Sequence, residues 1–79
     1  MKEGLSIVQR RLVAVDPWTA AGPGWANSGV TAIWEETRSD GSVRLANETV
    51  YQGDLSAEEV LAWRVGMAAM SVLRKRFEK

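Results

Sequence analysis

Apolar and β-branched residues crowd into residues 5–15, LSIVQRRLVAV, and that density predicts a strand. Its alternation is imperfect. Ile7, Val13 and Val15 share parity while Gln9 and Arg11 interrupt them, which requires either a bulge at Gln9-Arg10-Arg11 or partial cover on both faces. Residues 30–52 alternate more regularly about Asp40-Gly41, a dipeptide suited to a tight hairpin because both central positions of a type I′ turn need positive φ. With Asp40-Gly41 as a two-residue loop, Arg38 opposes Val43, Trp34 opposes Asn47 and Val30 opposes Tyr51. One side of the hairpin then collects Val30, Ala32, Trp34, Val43, Leu45 and Tyr51. The other collects Thr31, Glu35, Thr37, Arg44 and Glu48, as expected of an antiparallel sheet covered on one face.

Between these segments, residues 16–29 hold both prolines and three glycines, and read as a loop carrying Trp18 and Trp25. Beyond them, residues 56–78 read as one long helix. Ser56 is a good N-cap and Glu59 completes a capping box. Glu58 and Glu59 sit at the positive end of the helix dipole, and Arg74, Lys75 and Arg76 at the negative end. The expected architecture is α+β: a single domain, 1–79, with a three-stranded antiparallel sheet (β-β-β-α) and a C-terminal helix on one face.

At 100° per residue that helix carries more than one apolar stripe. Leu61, Val65, Ala68 and Val72 form one; Trp63, Gly66, Met70, Leu73 and Phe77 form another, with Ala62 and Ala69 between them. A three-stranded sheet covers one stripe. Leaving the other wet forfeits about 1.5–3 kcal/mol for each large side chain. The small residues would admit a second backbone, so the expected partner is a second copy, with a dimer interface at Ala62, Trp63, Gly66, Ala69, Met70, Leu73 and Phe77. The competing arrangement wraps both stripes within one chain.

Composition narrows the chemistry. A chain of 79 residues has a small core and usually needs a staple. Cysteine and histidine are both absent, which excludes disulfides and zinc fingers and favours oligomerisation. Ten basic and ten acidic side chains cancel, so bulk charge draws neither nucleic acid nor an anionic membrane. Arg10 and Arg11 stand where a secretion signal would be apolar, and the longest uncharged part of the helix is too short to span a bilayer; a cytoplasmic location follows as the expectation. Asn47-Glu48-Thr49 matches the glycosylation pattern but has no secretory context to make it meaningful.

No cofactor, metal or enzymatic activity is expected. Nucleophile–base pairs lack histidine and cysteine. Glu35 and Glu36 point to opposite faces of a strand, and Glu58 and Glu59 are explained by the helix start. The Gly/Pro run has no helix after it to make a phosphate loop. Contact chemistry remains. Trp18 and Trp25, together with the acidic face bearing Glu35, Asp40 and Glu48, are the candidate partner-binding residues. Arg10, Arg11, Arg74, Lys75 and Arg76, with a tryptophan to stack on a base, support an alternative as a nucleic-acid-binding accessory protein.

In its short length, mixed α/β pattern, lack of catalytic residues and expected pairing, the chain resembles the small phage-encoded inhibitors, anti-CRISPR proteins among them. That resemblance is one of general character. It implies a protein that occludes a larger protein or nucleoprotein complex, in some cases by presenting charge where nucleic acid would sit. Glu35, Glu36, Asp40, Glu48 and Asp54 would be the residues to do so here.

Overall fold

A computed structural model describes residues 6–66 and 70–78. Three strands, β1 (Ile7–Gly22), β2 (Trp25–Arg38) and β3 (Val43–Tyr51), make an antiparallel meander in the order β1-β2-β3. A 3-10 turn, Gln52–Asp54, leads into two helices, α1 (Ala57–Val65) and α2 (Met70–Phe77). The α+β class and the three-stranded antiparallel sheet match the expectation. The single long helix does not, because α1 ends at Gly66, whose φ of 82° no continuing helix can use. Its start is as read: Ser56 Oγ accepts the Glu59 N–H, and Glu59 accepts the Ser56 N–H.

The loop expected over residues 16–29 is also corrected. β1 runs through to Gly22 and β2 begins at Trp25, so the punctuation shrinks to Pro23-Gly24, where proline precedes a glycine with φ 78° in the pattern of a type II turn. Pro17 is tolerated inside β1 because β1 is an edge strand, where a missing ladder donor costs least.

Two register shifts, between Ile7 and Gln9 and between Leu12 and Ala14, leave Val8 and Val13 as extra residues. They flank the predicted bulge at 9–11 and explain the broken parity. Arg10 opposes Glu36, Leu12 opposes Trp34 and, past the second shift, Val15 opposes Ala32, so all three reach one face.

The β2–β3 hairpin slips by one residue from its predicted register. Its loop has three residues, Ser39-Asp40-Gly41, closed by the Arg38 N–H on Ser42 O at 2.8 Å and the Gly41 N–H on Arg38 O at 2.9 Å. Gly41 has φ 87°, and Asp40 accepts both the Ser42 N–H at 2.9 Å and the Ser42 hydroxyl at 2.6 Å. The aspartate thus selects a turn with an added left-handed residue over the two-residue loop. Trp34 consequently opposes Ala46 and Val30 opposes Val50. Because side chains alternate, the slip moves Val43, Leu45 and Tyr51 to the outer face. They are 57%, 68% and 49% exposed.

The core lies between the inner sheet face and the helices. Leu12, Val30, Ala32 and Trp34 come from the sheet, and Leu55, Ala62, Leu73 and Phe77 from the helical layer. The helical stripe assigned to a second copy is therefore turned inward, with Ala62, Leu73 and Phe77 buried and Trp63 and Met70 packed against the same cluster. The single stripe pattern ends with the helix at Gly66, and among the described helical residues Leu61 and Val65 are the large apolar side chains left outside.

Candidate functional site

β3 pairs with β2 only between Gly29 and Thr37. Among the described residues, Thr19–Gly22 and Trp25–Ser28 therefore pair only with each other and extend the sheet as a two-stranded arm. Most of its residues are exposed. From Pro17 to Trp34 there is no charged side chain, in a chain that is one quarter charged as a whole. A groove of about 490 Å³ runs between the arm, the 3-10 turn and Trp63, lined by uncharged residues that include Ala20, Ala26, Asn27 and Gln52.

Each fixture of the arm has a local cause. Trp63 donates its indole N–H to Gly29 O at 2.7 Å, linking α1 to β2 where β3 ends. Ser28 Oγ donates to Gln52 Oε1 at 2.5 Å. Gly29 has no room for a side chain, since a Cβ there would meet the backbone of Val50 and Tyr51 and the Trp18 ring. The two loop tryptophans of the sequence reading divide. Trp18 is half-buried, edge-on to Tyr51 with ring centroids 6.0 Å apart, and its buried indole N–H has no hydrogen-bond partner. Trp25, at the tip, lies across Gly22 and remains 55% exposed.

The carboxylates assigned to partner binding do not share a surface. Glu35 is on the outer face, paired with Arg11 at 3.2 Å. Asp40 is in the hairpin turn, where the Ser42 hydroxyl and N–H hold its carboxyl below the usual range. Glu48 is on the inner face beyond the core, 3.8 Å from Arg10. Glu36 is buried between Arg10 at 3.4 Å and Arg44 at 3.1 Å. Asp54 lies in the 3-10 turn, its backbone carbonyl accepting from Arg76. A nucleic-acid mimic needs such groups side by side, and here they are distributed over both faces and both ends.

A second concavity, a cleft of about 770 Å³ between β1 and the end of α2, is lined by Arg10, Arg11, Arg74 and Arg76 among others. Each arginine already faces a carboxylate. Arg74 lies 3.5 Å from Glu78, and Arg76 makes two 2.9 Å bonds to Glu59. Arg10 also stacks on Trp34, 3.9 Å from the ring centroid. Of the proposed helical interface, Ala62, Leu73 and Phe77 are buried in the core and Trp63 lines the groove; Gly66 caps α1, and Ala69 lies outside the described residues.

Sequence reasoning missed the arm, the groove and the Trp63–Gly29 contact. The uncharged run was visible, but its glycines and prolines drew attention to a loop. Among the described residues no three carboxylates gather as metal ligands, and no helix is long and apolar enough to cross a membrane. No family model, curated protein or solved structure matches this chain.

Proposed function

We propose that this chain is a non-catalytic, cytoplasmic protein-interaction module that works as a homodimer and inhibits a larger protein or nucleoprotein complex, in the manner of anti-CRISPR-type phage inhibitors. The observation that carries this reading is the uncharged β-arm with Trp25 exposed at its tip. An arm with both faces wet contributes little to its own core, so its apolar surface gains most when a partner covers it. Lack of charge from Pro17 to Trp34 suits a protein surface and offers nothing to a phosphate backbone.

Two measurements test it. The chain is expressed in bacteria whose CRISPR system targets a phage, and plating of that phage is expected to recover. A photo-crosslinking amino acid at position 25 is expected to capture one component of the targeting complex, with Trp25→Ala reducing binding of the purified component at least about 30-fold, as for a hot-spot tryptophan. Unchanged plating sinks the inhibitor reading. Equal binding by Trp25→Ala removes the arm from it.

The cleft of four arginines favours a second reading, a nucleic-acid accessory protein. Its test is a mobility shift with single- and double-stranded probes, where retardation that collapses with added salt promotes it over the first.

A further inference from the structure

The sheet has two edges, and they differ in kind. β1 carries Pro17 and two register shifts, devices that discourage strand addition. β3 has neither. It is nine residues of VRLANETVY with an unbroken register from Val43 to Tyr51, and none of them is buried. Among the described residues no strand lies on its outer side.

We infer that the outer edge of β3 pairs antiparallel with the same edge of a second copy, about a two-fold axis at Ala46, with Arg44 of each chain opposite Glu48 of the other. This inference rests on the homodimer reading above and supplies its interface. The free hydrogen-bonding groups come first. The bond from the Arg38 N–H to Ser42 O sets the phase of the β2–β3 ladder. Residues 44, 46, 48 and 50 then direct their backbone groups to β2, and Val43, Leu45, Asn47, Thr49 and Tyr51 direct theirs outward. A two-fold pairing must match outward residues with outward residues.

Charge then selects the register. Centred on Ala46, Val43 meets Thr49, Leu45 meets Asn47, and Arg44 meets Glu48 twice. Centred on Asn47, Arg44 meets Val50 and Glu48 meets Ala46, so neither charge gains an opposite partner across the interface beyond the one it has within its chain, Glu36 or Arg10. Centred on Glu48, outward residues again pair, but the two carboxylates confront each other. In the Ala46 register the Arg44–Glu48 pairs occupy the closely spaced, non-hydrogen-bonded sites. The two side chains are 54% and 50% exposed, leaving room for a partner. The product is a two-fold, self-complementary interface.

The chain has no native cysteine, so single substitutions report position directly. In Ala46→Cys the two Cβ atoms come about 5 Å apart across the axis, and mild oxidation is expected to give a covalent dimer. Asn47→Cys, staggered along the strands, is expected to cross-link much more slowly. Asn47→Pro removes one outward N–H that β2 does not use; its far-UV circular dichroism should match wild type while its sedimentation mass falls to one chain. Wild type is expected to sediment as two chains at micromolar concentration. A single-chain mass for wild type overturns both this interface and the homodimer reading. A dimeric wild type in which Ala46→Cys does not cross-link and Asn47→Pro remains dimeric overturns the β3 edge alone and leaves the homodimer reading standing with another interface.

Discussion

Trp63 donates its indole N–H to Gly29 O, a bond that phenylalanine cannot make. Trp63→Phe keeps most of the ring and loses that bond, at an expected cost of about 0.5–1.5 kcal/mol in chemical denaturation. Leu73→Ala should cost more, about 2–5 kcal/mol, because Leu73 is fully enclosed and its removal opens a cavity. Leu45→Ala is the contrast: at 68% exposure it should move stability by less than about 0.5 kcal/mol in the isolated chain. At this scale the sequence was only partly legible. Val30, Ala32 and Trp34 were recognisable as inward residues because β2 alternates without interruption. Val43, Leu45 and Tyr51 were not recognisable as outward ones, because a single hydrogen-bonding choice by Asp40 decides their face.

Among the elements, the joint between α1 and α2 is the most revealing. Arg76 on α2 grips Glu59 at the start of α1 with two 2.9 Å bonds and reaches Asp54 O as well. Glu59 also receives the Ser56 N–H in the capping box. One carboxylate thus serves both a cap and a clasp. Arg76→Ala should destabilise by about 1.5–3 kcal/mol, the range for hydrogen bonds to charged groups, in thermal or urea unfolding. The same group sets an acid response. Arg76 foremost, with the Ser56 N–H behind it, holds the Glu59 carboxyl below its ordinary value of 4.5. A depressed carboxylate contributes fully above its unfolded value, and its contribution is lost as pH falls through the folded one. Melting temperature should therefore fall below about pH 4.5, and Glu59→Gln should be less stable at neutral pH and lose less on acidification. The capping box was legible because its signature is local. The clasp was not, because Arg74, Lys75 and Arg76 look alike as a basic helix end until Gly66 breaks the helix and sets which of them turns back.

For the whole molecule, length matters more than core size. The radius of gyration is 15.3 Å, against about 12 Å for a compact chain of this length. Extents of 45 × 31 × 17 Å describe a thin two-layer body with a protruding ribbon. Three strands share the helical cover, whereas Thr19–Ser28 has only its own two strands, and a hairpin without further cover is marginally stable in water. The body and the arm should therefore open separately. Amide exchange of Val30, Ala32 and Trp34 should occur through near-global unfolding, while Ala20 and Asn27, the amides that bond across the arm, should show protection lower on the order of 100-fold, about 2.7 kcal/mol less. Addition of the partner should raise protection in the arm while leaving the β2 centre nearly unchanged, since that centre is already covered. Equal protection of arm and body in the isolated chain would mean that the ribbon is held from both sides without a partner. Its faces would then already be covered, and a partner would gain nothing by docking there.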